Sequence, residues 1–325
     1  MLKGAILGFS SIVEKVHIPA FLSRPDKFRL AAVADADPGR LARAGAHLPA
    51  VRTYAAAADL FSREERLDFI VIDSPADRRA EHVLSALGNS AHVLCEKPLC
   101  LSIKDWDRIR KEAARRNLCV FTADALKKCP QLVTVRKTLD QKLLGRVSYA
   151  EIQILRQPAE GAAGILAECG WDAAALAREM IRKEPGSLAA RLGWDRAEPK
   201  SERIAESADI QLHFEGAAAH IHLSRRHHAD RFRAVVCGTG GLIELCNDLI
   251  TLDIKGLPAE TIRYREDVPS GPASPAAMAA VLDEFLLEIA DEGLRGANIA
   301  EAKNCVRIIN NAFYSDSLNS AAVPL

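Results

Sequence analysis

The first 120 residues alternate short, wholly apolar runs with helix-forming segments, and this regularity constrains the fold more than any single motif. "GAILGF" is an apolar run ending in glycine, "HIPAFLSRP" reads as helix, and "FRLAAVADAD" is a buried strand ending in acids. "PGRLARAGAHL" opens with proline at a helix start. "DFIVIDSP", "AHVLCEKP" and "LCVFTA" read as further buried strands, separated by the helices "ADRRAEHVLSALGN" and "IKDWDRIRKEAARRN". Strands apolar on both faces, with helices between them, predict an α/β domain built on a parallel, doubly wound sheet.

Beyond about residue 124 the pattern changes to longer, alternating strands: "VSYAEIQILRQ", "ADIQLHFEG", "AAAHIHLSRR", "RFRAVVCG" and "LIELCNDLITLDI". Alternation implies one covered face and one open face, hence a largely antiparallel sheet. Helices are expected over 131–143, 171–183 and "SPAAMAAVLDEFLLEIADEG". The chain of 325 residues therefore divides into a Rossmann-type domain, 1–123, and an α+β domain, 124–325.

Composition narrows the function. The formal net charge is zero, which leaves no electrostatic footprint for nucleic acid or an anionic membrane surface. No apolar run reaches the roughly 18 residues of a membrane span, and "MLKGAILGFSS" is interrupted too soon to be a secretion signal. The eight cysteines form no C-x-x-C pair and several sit in apolar runs, which suits a reducing, cytoplasmic setting.

"GAILGFSSIVEKVHIP" has the strand, tight turn and helix N-terminus of a dinucleotide site, where backbone N–H groups meet a pyrophosphate. Gly8 holds the first glycine position, with Phe9, Ser10, Ser11 and Ile12 following, but Ser10 and Val13 replace the second and third glycines. Asp35 lies 27 residues after Gly8 at the end of the second strand, placed to accept from an adenosine ribose. Its neighbour is Ala36, so no adjacent cation would neutralise a 2′-phosphate, and NAD is favoured over NADP. A second reading has Asp35 and Asp37 merely capping the helix after Pro38.

Gly8-Phe9-Ser10 followed by His17-Ile18-Pro19, then "VADADPGR" and "DSPADRRAEHVLSALGNSAHVLCEKPL", resembles the Gfo/Idh/MocA oxidoreductases. The similarity continues through "LGRVSYAEI", "HLSRR", "VVCGTGGLIEL" and "NNAFYSDSLNS", nearly the whole chain. The resemblance implies that the Glu96-Lys97-Pro98 turn, with a cis Lys–Pro bond, lies beside nicotinamide and substrate. Lys97 would then hydrogen-bond the reacting oxygen, and Ser74, Pro75 and Glu96 would join the cofactor surface. The family's second signature, D-x-G-x-H, here reads Glu168-Cys169-Gly170-Trp171-Asp172, so carboxylates replace both polar positions. A carboxylate with an ordinary pKa is a poorer proton carrier at neutral pH than histidine, unless two neighbouring acids push one value up. Arg79 stands where relatives often carry histidine, and "FTADALKKCPQL" lacks a usual asparagine.

Among other candidates, His220 and His222 alternate onto one strand face without matching acidic or thiol ligands, which makes a metal site an inferior reading. Cys169 has no local histidine and reads as filler. Trp171 either walls a substrate pocket or fills the core, and Arg225 is placed for substrate or interface contact. The reading favoured is an NAD-dependent oxidoreductase of a sugar, cyclitol or related polyhydroxy substrate. Lys97, Asp172 and Glu168 are its catalytic candidates, and Trp171 and Arg225 line the substrate. The resemblance also implies a homodimer or homotetramer formed through the second sheet. The competing reading is a ligand-binding sensor, regulator or partner subunit that kept the scaffold and lost turnover.

Overall fold

The computed structural model describes residues 1–158, 164–195, 204–268 and 274–325. The chain separates into two compact units, Met1–Lys128 with Ala273–Lys303, and Cys129–Pro272 with Asn304–Leu325.

The first unit carries β1 (Leu2–Leu7), α1 (Ile18–Leu22), β2 (Phe28–Ala34), α2 (Pro38–His47), β3 (Arg52–Tyr54), α3 (Ala57–Arg63), β4 (Phe69–Ile72), α4 (Ala76–Gly88), β5 (His92–Cys95), α5 (Ile103–Arg116) and β6 (Val120–Thr122). Its strands form one parallel sheet in the order β3-β2-β1-β4-β5-β6, so the strand order reverses between β1 and β4. The strands are short and buried on both faces, as the continuous apolar runs require. The edge strand β3 is absent from the sequence reading, because "RTY" is short, polar and partly exposed.

The second unit carries α6 (Pro130–Asp140), β7 (Val147–Leu155), α7 (Ile165–Ile181), β8 (Ser187–Trp194), β9 (Ala205–Phe214), β10 (Ala217–Ser224), β11 (Arg231–Gly238), β12 (Gly241–Cys246), β13 (Leu249–Ile254), β14 (Glu260–Arg263) and, at the C-terminus, β15 (Val323–Pro324). Among the described residues these strands form a nine-stranded sheet, β14-β13-β12-β11-β7-β10-β9-β8-β15, antiparallel except where β7 meets β10. α7 begins at Ile165, six residues before the helix read from sequence, so Glu168 and Asp172 belong to one helix.

Two further helices follow, α8 (Pro275–Ala290) and α9 (Ala297–Ser317). α8 belongs to the first unit, whereas the sequence reading put it in the second domain. Its Met278, Val281, Leu282 and Phe285 lie in the same buried cluster as Phe9, Phe21, Phe69 and Phe121. The Phe285 ring meets Phe69 at 6.1 Å and Phe121 at 5.9 Å, edge to face in both cases. No helix among the described residues is long and apolar enough to cross a membrane. All eight cysteines are free thiols.

Candidate functional site

The carboxyl ends of β1, β2, β4, β5 and β6 present Gly8, Asp35, Asp73, Glu96 with Lys97, and Asp124 along one edge of the first sheet. That edge holds the reversal between β1 and β4, the place where open α/β sheets bind ligands. Gly8 has φ +94°, and a Cβ there would lie 2.4 Å from the Asp73 carbonyl oxygen. Only glycine allows β1 to turn so closely against the end of β4. The chain is helical from Ser11, and Val13, where a third glycine is expected, is buried in the core.

Two carboxylates grip this turn. Phe9 N donates to Asp35 Oδ2 at 2.7 Å, and Ser10 N donates to Asp73 Oδ2 at 3.1 Å. The capping alternative separates cleanly, because Asp37 caps α2 by accepting from Gly39 N and Arg40 N, while Asp35 reaches back to the glycine turn. The view that no cation stands near Asp35 needs correcting. Arg40, five residues on and one helical turn into α2, brings its guanidinium to 3.6 Å from Asp35 Oδ2.

Behind the turn lies a buried polar cluster. His17 is fully buried, and its Nε2 lies 2.6 Å from Glu96 Oε1. Glu96 Oε2 accepts from Lys97 N at 3.2 Å. Burial pushes the Asp73 carboxyl above the usual carboxylate range, and the charge of Glu96 pushes it the same way. Burial also opposes ionisation of Glu96, but the His17 hydrogen bond and charge hold its pKa below the ordinary value. Like charges at close quarters thus divide into one acid driven toward its neutral form and one held ionised.

Lys97 is partly exposed, and its bond to Pro98 is cis. Arg79 is buried and donates to the carbonyl oxygens of Ser74 (2.7 and 3.0 Å) and Pro98 (2.7 Å). It ties the turn after β4 to the turn after β5. Ser74 Oγ is buried with no hydrogen-bond partner among the described residues, and the buried Asp124 carboxylate meets Lys127 Nζ at 3.6 Å.

These residues fit a dinucleotide. The glycine turn allows close approach, the helix N-terminus follows it, and Ser74 Oγ is an unused polar group on the same edge.

In the second unit, Glu168, Trp171 and Asp172 lie within the first two turns of α7, a helix buried along most of its length. Glu168 and Asp172 are four apart and share a face. Glu168 Oε1 accepts from Arg225 Nη2 at 2.6 Å, which ties α7 to the chain leaving β10. Glu168 thus has a partner in Arg225, besides its place four residues from Asp172. Asp172, only 6% exposed, is the more enclosed of the two acids. Trp171 Nε1 and Arg225 Nε are buried donors without acceptors among the described residues. The Cys169 thiol is pushed up to about 11 by burial, which suits filler rather than a nucleophile. His222 lies 2.7 Å from Asp209, with His220 at 3.9 Å. Among the described residues no three potential ligands gather as a metal site.

Residues 2–124 match the profile of an oxidoreductase family with an NAD-binding Rossmann fold, and residues 132–244 match the GFO/IDH/MocA C-terminal domain. The chain belongs to the Gfo/Idh/MocA oxidoreductase family. Among curated proteins it is similar to oxidoreductase P35 of Formosa agariphila, with 23% identity over 149 residues. That match spans 46% of this chain and 46% of the relative, less than half the length of each. The fold is shared with an inositol dehydrogenase homologue of Azotobacter vinelandii solved with NADH and myo-inositol (TM-score 0.83, 18% identity, 100% and 97% of the two chains). It is shared also with a 3-ketoreductase of Actinomadura kijaniata solved with NADP and TDP-benzene (TM-score 0.82, 17% identity, 96% of each chain).

In the sequence of this Gfo/Idh/MocA chain, His17 and Asp73 stand out only as members of longer motifs. The signal for Asp73 is an acid directly after the four apolar residues of β4, at a strand end that borders the glycine turn.

Proposed function

We propose that this chain is a nicotinamide-dependent oxidoreductase acting on a sugar, cyclitol or related polyhydroxy compound, with NAD preferred over NADP. The observation that carries the reading is the gathering of the Gly8 turn, Asp35 and Lys97 on one edge of the first sheet. Gly8, Phe9, Ser10, Ser11 and Ile12 form the phosphate turn, with Ser74, Pro75 and Lys97 continuing the cofactor surface. Asp35, whose side chain is 8% exposed, accepts from the ribose and disfavours a 2′-phosphate. Arg40 is already engaged by Asp35 and Asp37.

The bound nicotinamide supplies hydride acceptance and donation. Lys97 donates a hydrogen bond to the reacting oxygen and steadies charge developing there. Asp172 moves the proton, and Glu168, four residues away on the same helix, is held in place by Arg225. A polyhydroxy substrate suits this set, because hydroxyls accept from Trp171 and Arg225 and donate to Asp172. The myo-inositol bound by the Azotobacter homologue supports the substrate class.

The test is a screen of polyols and aldoses with NAD, repeated with Lys97→Ala and Asp172→Asn. Each variant is expected to lower kcat by about 100-fold or more while leaving NADH affinity within a few-fold. Turnover unchanged in both would remove these residues from the chemistry. Binding without turnover on any substrate would favour the sensor reading.

A further inference from the structure

His17 contributes nothing to the mechanism above, yet its imidazole is fully buried. It sits on the π-helical turn Val13–His17 that follows the glycine turn. From there Nε2 reaches Glu96 Oε1 at 2.6 Å, and the other Glu96 oxygen accepts from the backbone N of Lys97 at 3.2 Å. An ionised carboxylate can only accept, so Nε2 carries the proton. Glu96 is 4% exposed, and both of its carboxylate oxygens are engaged by the protein. A buried pair of this kind is weak evidence for stability, since apolar residues of similar size often serve as well. What the pair adds is direction, because it ends on the residue that bears the reactive amine.

We infer that His17 is a positioning residue: through Glu96 it fixes the Lys97 turn relative to the nucleotide turn, so that cofactor and lysine meet in register. The inference deepens the functional reading and rests on it. Arg79 reinforces the same linkage from the other side by holding Ser74 O and Pro98 O. Asp73 ties the glycine turn into the cluster through Ser10 N.

The test reads Lys97 directly, without cofactor or substrate. Full-length protein is treated with trace acetic anhydride, and acetylation of Lys97 is compared by mass spectrometry with that of exposed Lys104. His17→Leu is expected to change the Lys97 rate by about fivefold relative to Lys104, the scale of one ordinary hydrogen bond. His17→Gln retains a donor and is expected to restore most of the rate. Glu96→Gln, which keeps the shape and removes the charge, is expected to shift Lys97 as His17→Leu does. Unchanged Lys97 reactivity in Glu96→Gln and His17→Leu, with only a lower Tm, would overturn the inference. So would a His17→Gln variant no different from His17→Leu. NADH titration of the same proteins separates the two claims. A Lys97 response without NADH binding upholds the positioning role and removes the oxidoreductase reading; binding without a response does the reverse.

Discussion

His92, at the start of β5, accepts a hydrogen bond on Nδ1 from Cys119 N at 2.9 Å. Burial and, secondarily, the nearby Arg295 charge lower its pKa from 6.5 to about 4. The unfolded chain then binds more protons than the folded one between these values, so stability must fall as pH drops from about 6.5 toward 4 and level off below. The shift corresponds to at most about 3 kcal/mol. Denaturant unfolding followed between neutral pH and pH 4 should show this slope, and His92→Asn, which keeps the acceptor and cannot titrate, should flatten it. Parallel loss of stability in both proteins would assign the acid sensitivity elsewhere. Such behaviour has no sequence signature, because "AHVLCEKP" marks His92 only as the first residue of a strand. Asp35 was legible for a different reason: a carboxylate at the end of β2 is placed by chain topology alone. Arg40 was not, because its reach depends on where α2 starts.

At the scale of elements, the strands of the first sheet could be read directly because burial on both faces leaves continuous apolar runs. Helix α8 shows the limit of such reading. Its period reveals an apolar face but not which core that face covers, and the chain returns to the first unit after leaving it. Phe285→Ala should therefore destabilise the unit that contains Phe69 and Phe121, by about 3–5 kcal/mol. The check is hydrogen exchange: protection should fall in β4 and β6, and equal loss confined to β7–β13 would contradict the assignment. The start of α7 was misplaced for a local reason. Gly164 at its N-cap, φ +86°, offers no side-chain cap, so "GILAECGW" lacks the Ser, Thr, Asp or Asn that marks a helix start most clearly. The helix from Ile165 carries Glu168 and Asp172 on one face, as the motif spacing implied.

For the whole molecule, the fold class and the family were legible in the sequence, because apolar periodicity and the turn motifs span most of the chain. The division of labour within the candidate site was not. It depends on long-range pairs, His17 with Glu96, Ser10 with Asp73 and Glu168 with Arg225, which join residues 57 to 79 positions apart. The account stands on a nicotinamide dinucleotide binding at the Gly8 turn with Asp35 reading its ribose. Titration with NADH and NADPH, followed by nicotinamide fluorescence, tests this most directly in the wild type, Gly8→Ala and Asp35→Ser. The account predicts tighter binding of NADH than of NADPH by the wild type. It predicts loss of both in Gly8→Ala, where the added Cβ would meet the Asp73 carbonyl. In Asp35→Ser, with Arg40 released, it predicts a shift toward NADPH by about tenfold, near 1.4 kcal/mol. Binding of neither nucleotide by the wild type, or affinities untouched by both substitutions, would contradict it.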